Sequence, residues 1–415
     1  GTACAVADGQ VIVDLGRLNR IVEVNEELAY AVVEPGVTQG QLCDHLQELG
    51  DTLMLDVTGA GPDTSVLGNA LERGFGHSPY GDHFRHSCGM EVVLADGRLL
   101  RTGFGSYENA KAAHVFPWAI GPWIDGLFSQ SNFGIVTRMG IWLMPRPPVC
   151  QAFHFSVSEF DKLGEIVTRL RHLRMLNVVN SSVHIANDLR VLSTRMHYPT
   201  HLTGGVKPLP DAVREQLRKE TALGAWNVLG GLYGSRQSVA AAKHAVRKAY
   251  RGLARVRFFD DTRIRWASKF LDAVRWTGIG HELRQTLVNA TNVYDLLRGS
   301  PSADHIQGIG WRSREAGESN DPTDYGGLWI SPVLPMTAEA CNELMELVEP
   351  IFASHGFEPL LTLTAVNPRA LCSVINIAFD KSDVEESARA TECYNVLFDA
   401  LMHRGYIPYR VGIQS

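Results

Sequence analysis

The chain has 415 residues, 45% of them apolar and 20% charged, with a formal net charge of −6. That is enough apolar material for two or three cores, and the acidic balance excludes a nucleic-acid binder, which needs a basic face. No apolar run reaches the roughly 18 residues that cross a bilayer, and seven cysteines without close pairing predict free thiols rather than a disulfide framework or zinc site.

From residue 11 to about 150, short β-runs alternate with short helices. Val11–Leu15 reads as a strand, and Tyr30–Gly36 as a strand closed by a Pro-Gly turn. Thr38 then caps an amphipathic helix with Leu42, Leu46 and Leu49 on one face. Met90–Gly103 reads as a β-hairpin turning at Ala95-Asp96-Gly97. Phe128–Leu143 mixes a helix end with a β-rich run after Gly134, and three prolines within 145–148 punctuate a boundary.

Beyond it, strands alternate with longer helices. Phe153–Val157, Val228–Leu232, Leu328–Val333 and Val374–Phe379 read as strands. Asp161–Leu176, Ser235–Leu253, a Thr337-capped helix to Phe352, and Ser382–His403 read as helices. The order suggests an α+β domain in which helices cover one face of an antiparallel sheet.

One stretch is denser in information than the rest: Ser65–Gly105, SVLGNALERGFGHSPYGDHFRHSCGMEVVLADGRLLRTGFG. Its first half, with Gly68, Gly74, Gly76, Pro79 and Gly81, is a turn-rich loop. Small residues let backbone N–H groups approach an acceptor-rich ligand such as a diphosphate or a flavin ring. A structural link between sheets has the same composition.

This stretch resembles the FAD domain of the vanillyl-alcohol oxidase and para-cresol methylhydroxylase flavoproteins. The resemblance continues through 121–148, GPWIDGLFSQSNFGIVTRMGIWLMPRPP, then Gly224-Ala-Trp-Asn227, to Tyr409-Arg410. It implies the two-domain FAD-binding fold of that family, with an FAD-binding domain at 1–148 and a substrate domain at 149–415 whose antiparallel sheet is covered by helices. The two domains are expected to meet at the flavin ring. Family members carry a preceding diphosphate-binding segment and a C-terminal tail, both expected to be absent here. The implied activity is FAD-dependent removal of hydride from the benzylic carbon of a 4-alkylphenol or 4-hydroxybenzyl alcohol through a quinone methide, with hydroxylation by water. The alternatives are an oxygen-using oxidase of related phenols, or a catalytically weak flavin-binding homologue. Aromatic compound catabolism is the setting implied, in the cytoplasm or periplasm of a bacterium. A homo-oligomer is implied, acting on a small phenol and passing electrons to a c-type cytochrome or to oxygen.

The resemblance also implies residue roles. Tyr409 and Arg410 grip the phenolic oxygen. A charged guanidinium beside a hydroxyl donor favours phenolate over phenol. Adjacent strand residues ordinarily point to opposite faces, and a strand end or bulge turns both inward. Gly68, Asn69, Glu72, Arg73, Gly74, Tyr80, Gly81, Asp82 and His83 hold the cofactor, with Gly134, Ile135 and Val136 along its other side. Glu72 and Asp82 read alternatively as turn caps, and His83 as a surface histidine. Trp329 lines the pocket or, alternatively, a strand core, and Trp311 falls near the flavin attachment segment.

Some positions depart from the family. Where its pocket is acidic this chain has His305 and Leu363, and where the hydroxylases carry a histidine after Asn367-Pro-Arg369 it has Cys372. The aspartate expected near the flavin falls on Gly59 or Ala60, flanked by Asp56 and Asp63. The histidine version of covalent flavin attachment falls on or beside Gly327 and the tyrosine version near Ile309 or Ser319, leaving Tyr325 as the nearby nucleophile. A noncovalent FAD is therefore favoured.

Overall fold

A computed structural model of the chain describes residues 8–273, 291–302, 311–312 and 325–411. The chain divides into two units, Gly1–Cys150 with Trp266–Ala303 and Arg410–Ser415, and Gln151–Arg265 with Asp304–Tyr409.

In the first unit, β1 (Ile21–Asn25) and β2 (Tyr30–Val33) form a hairpin, and Thr38 caps α1 (Gln39–Glu48) through its side chain. Leu42 and Leu46 are buried as expected, while Leu49 has become the helix C-cap and is exposed. After β3 (Leu53–Met54) and α2 (Val66–Leu71), the predicted hairpin appears as β4 (Ser87–Leu94) and β5 (Leu99–Arg101), with Gly97 at φ 81°. Strand β6 (Gly134–Trp142) completes a five-stranded antiparallel sheet in the order β1-β2-β6-β4-β5. Pro145 does not end regular structure at once: β7 (Met144–Pro145) pairs with β3. A core of Ala31, Val33, Leu42, Leu67, Val92 and Met139 joins the sheet to α1 and α2. Val11–Ile12–Val13 is not a strand; with no strand partner among the described residues, it stays irregular and 60–87% exposed.

The second unit carries β8 (Val149–Val157), α3 (Leu163–Met175), β9 (Val183–Asn187) and α4 (Asp188–Ser193). A short turn of helix, α5 (Thr200–Thr203), and α6 (Asp211–Glu220) precede β10 (Trp226–Gly234), α7 (Arg236–Ala249) and β11 (Arg257–Phe259). Helix α8 (Asp261–Ala273) and a helix at 291–297 (α9) lead to β12 (Tyr325–Ile330), β13 (Val333–Pro335), α10 (Ala338–Ser354), β14 (Leu360–Ala365), β15 (Ala370–Asp380) and α11 (Val384–His403). The strands form one sheet in the order β11-β8-β10-β9-β14-β15-β12, with β13 on β15. Helix α7 covers the face that carries Phe153 and Phe155, the Tyr250 ring lying 4.2 Å from that of Phe155.

The second unit is not one continuous stretch. Helix α9 is gathered into the first unit, where Leu296 enters the core, Tyr294 donates to the Cys150 carbonyl and Cys43 Sγ lies 3.2 Å from the Gly299 carbonyl. A hydrophobic residue is placed by where its partner lies, not by chain order. No disulfide joins the six described cysteines.

Candidate functional site

The glycine-rich loop of the first unit is built from local contacts. Ser65 begins α2, its Oγ accepting the Gly68 N–H at 2.9 Å and donating to the Pro35 carbonyl at 2.6 Å. The helix ends after one and a half turns at Arg73, whose φ is 51°, and Gly74 N–H returns to the Asn69 carbonyl. Within the following loop, Gly76 N–H bonds the Gly81 carbonyl and Gly81 N–H the Ser78 carbonyl. Several amides expected to face a ligand therefore bond within the loop.

The glycines have another reason to be there. A Cβ on Gly76 would overlap Asp56 Oδ1, and one on Gly74 would overlap the Asn69 amide. The two bare positions let Asp56 and Asn69 pass beneath the loop to reach His83. His83 Nε2 lies 2.7 Å from Asp56 Oδ1, its Nδ1 lies 2.6 Å from Asn69 Oδ1, and Asp56 Oδ2 accepts the Ser78 N–H at 2.5 Å. Burial would push the Asp56 carboxyl up, but the bond and charge of His83 outweigh it and hold it below the usual carboxylate range. His83 is no surface histidine, its side chain being 14% exposed.

Gln39, Ser65, Asn69, Tyr80, His86 and Trp142 line a cleft beside this network. The Tyr80 and His86 rings stack at 4.4 Å, and His86 Nδ1 lies 2.8 Å from the Asp82 carbonyl. Burial lowers the His86 pKa, so the ring is neutral and donates through Nδ1. Asp82 Oδ1 accepts the Arg85 N–H at 3.3 Å, the role of a turn cap. Glu72 is the C-cap of α2, and Arg73 Nε donates to Ser129 Oγ. Gly134, Ile135 and Val136 pair with Leu94, Val93 and Val92 in β4. Val136 enters the core, Ile135 is 40% exposed, and a Cβ on Gly134 would press on Val92.

In the second unit, register separates the expected pocket residues. Trp329 pairs with Asn376, and Cys372 with Thr364, which in turn pairs with His184. These residues share one face of the sheet. Leu363 pairs with Ile185 and Ser373 on the other face, is fully buried, and so does not join Trp329 and Cys372. Trp329 is 47% exposed, which removes the reading as a core tryptophan. Trp311 is the core tryptophan instead, 1% exposed and packed near Tyr198. Tyr409 N–H donates to the Ser331 carbonyl, and Tyr409 is half-buried. Arg410, in the first unit, is half-buried too. His305, Ile309, Ser319 and the Tyr325 side chain lie outside the described residues.

Asn376 was missed. It is 5% exposed, shares the face of Trp329 and Cys372, and its Oδ1 has no hydrogen-bond partner among the described residues. A buried acceptor left open among the described residues calls for a donor that is not one of them. The signal was present as one amide inside the apolar run Val374–Phe379.

A model of the FAD binding domain family matches residues 1–103. The chain is 36% identical over 421 residues to the 1'-carboxy-chondrochloren decarboxylase of Chondromyces crocatus, covering 100% of this chain and 77% of that protein. It is 33% identical over 416 residues to the 4-cresol dehydrogenase (hydroxylating) flavoprotein subunit of Pseudomonas putida, covering 99% of this chain and 73% of that one. The solved 4-ethylphenol oxidase of Gulosibacter chungangensis superposes with a TM-score of 0.83 at 30% identity, over 96% of this chain and 71% of that one. The cofactor is FAD. The first unit fits it: an amide at the cleft and an aromatic wall from Tyr80, His86 and Trp142 suit a flat, acceptor-rich ring.

Proposed function

The chain belongs to the vanillyl-alcohol oxidase and para-cresol methylhydroxylase family of flavoproteins, and from that premise we propose that it removes hydride from the benzylic carbon of a 4-alkylphenol. The observation that carries the reading is the Tyr409-Arg410 pair in a chain of this family. Arg410 stays charged and Tyr409 offers a hydroxyl, so together they hold the phenolic oxygen as phenolate. A phenolate raises electron density at the para substituent, and loss of hydride there leaves a neutral quinone methide. Water then adds its oxygen to the benzylic carbon and returns a proton to the phenolic oxygen. Bound FAD supplies the two-electron hydride acceptor. Its holders are Asn69, Tyr80, His86 and the loop backbone from Gly68 to His83, with Gly134–Val136 on the other side. Trp329 supplies an apolar wall and Asn376 an open acceptor for a polar group of the substrate.

The electrons leave through a c-type cytochrome or to oxygen. The Pseudomonas relative is named a flavoprotein subunit and the Gulosibacter relative an oxidase. Gly327 offers no nucleophile at the histidine attachment position, which supports a noncovalent flavin that acid precipitation releases. A second reading, oxidative decarboxylation of a phenol bearing a carboxylate on its side chain, is favoured by the Chondromyces relative. Anaerobic addition of 4-alkylphenols, with and without a side-chain carboxylate, decides between them. Bleaching of the visible flavin band by plain 4-alkylphenols is the expected result. Bleaching with carbon dioxide release by the carboxylated compounds alone selects the second reading, and no bleaching by either overturns both.

A further inference from the structure

Asp56 is 5% exposed and ionised, and a carboxylate so deep needs a compensating cation. Among the described residues its ion-pair partner is His83, whose second nitrogen also faces an oxygen, that of Asn69. Neutral imidazole has one N–H and cannot donate at both ends. Two short contacts to oxygens, with a buried negative charge at one of them, are those of a ring bearing a hydrogen on each nitrogen.

This has a consequence for the cleft. The Asn69 amide lies flat beneath Gly74, where no Cβ could be accommodated, and the residue lines the cleft. With Oδ1 taken by His83, the donor end, Nδ2–H2, is what remains for a ligand. We propose that Asp56, His83 and Asn69 form a relay in which the carboxylate keeps His83 doubly protonated, His83 fixes the amide, and the amide offers the cleft a hydrogen-bond donor aimed at a carbonyl of a planar heterocycle. His83 and Asp56 are positioning residues that act through Asn69. The heterocycle is the flavin ring, so this last step rests on the FAD reading above. The relay itself does not.

Two measurements test it. In protein labelled with 15N at histidine, long-range proton–nitrogen spectra at neutral pH should show hydrogens on both ring nitrogens of His83, assigned by comparison with His83→Gln. In Asp56→Asn the same ring should carry one hydrogen. The second measurement is the carbonyl stretch of the bound flavin, read by Raman difference spectra of wild type against Asn69→Asp. The variant is isosteric and still accepts from His83 but has no donor to offer, so one flavin carbonyl band should move to higher frequency with the melting temperature little changed. A wild-type His83 with one ring hydrogen overturns the relay, as does an Asn69→Asp flavin whose carbonyl bands match wild type. Protein that holds no flavin while His83 shows two ring hydrogens sinks the FAD reading and leaves the relay standing.

Discussion

The first unit buries a charged network around Asp56 and the second buries one around Arg312, and these two are built to different plans. In the first unit, Asp56, Asn69, Ser78 and His83 meet within 27 residues of chain, under a loop whose glycines make room for them. In the second, Arg312 donates through Nε and Nη2 to Glu358 Oε2 at 3.0 and 2.7 Å and through Nη1 to Glu386 Oε1 at 3.1 Å. Lys207 Nζ reaches Glu386 from 179 residues away in sequence, and the guanidinium rests 4.6 Å above the Phe357 ring. The short-range network shapes the glycine-rich loop. The long-range one ties together α11, the approach to β14 and the Trp311-Arg312 segment. Proximity in sequence goes here with the shape of one loop, and distance with a tie between separate elements.

The sharpest way to break that contrast is to remove Arg312. Arg312→Met leaves Glu358 and Glu386 buried with one cation fewer, at a cost of about 3–5 kcal/mol. Chemical denaturation measures it, and a loss below about 1 kcal/mol would show that the tie is dispensable. Arg410→Ala tests the functional side. Loss of a charge-assisted contact to phenolate should weaken phenol binding by roughly 2–5 kcal/mol with flavin content unchanged. A silent replacement removes the phenolate clamp.

Acid loads both units in the same sense, and most sharply the second at His154. Burial, helped by Arg257 and Arg195, lowers His154 of the second unit from 6.5 to about 4. Between those values the unfolded chain takes a proton that folded His154 refuses, so stability is present above pH 6.5 and falls as pH drops towards 4. The loss is on the order of 3 kcal/mol at most, and His154→Gln should flatten it in urea titrations at several pH values. Burial lowers His77 and His86 of the first unit in the same sense, so the slope should shrink rather than vanish. Asp56, held below the usual carboxylate range, adds stability that is lost only as pH falls through its own lower value.

Gly76→Ala is the mildest probe. Its methyl group would overlap Asp56 Oδ1, so the loop must shift at a cost of about 1–3 kcal/mol. The damage should stay local, with faster hydrogen exchange at Ser78 and Gly81 and little change around Arg312. An unchanged loop would mean that the glycine does not make room for the network.

Short-range features were legible from the chain alone. The Thr38 cap, the hairpin turn at Gly97 and the glycine-rich run each depend on residues a few places apart. The same reasoning erred where pattern outran pairing. Val11–Leu15 alternates like a strand but pairs with none of the described residues. The sequence does not announce strands β9 and β14, which lie at the centre of the second sheet, and it groups Leu363 with Cys372 where cross-strand register sends the two side chains to opposite faces. The sequence reads His83 as a ligand contact or a surface histidine, and its place is under the loop, bonded to Asp56 and Asn69.

By itself the sequence determined the family, the cofactor and the loop that goes with them, because these rest on runs of residues whose conformation is set by their own neighbours. Only the tertiary structure decided that Asn376 lies beside Trp329 with an acceptor left open among the described residues, that Arg312 has Glu358 and Glu386 as partners, and that α9 belongs to the first core. Strand register and burial settle such matters. They act between residues tens or hundreds of positions apart, where the hydrophobic pattern of one segment says which side is inward but not what it will meet there.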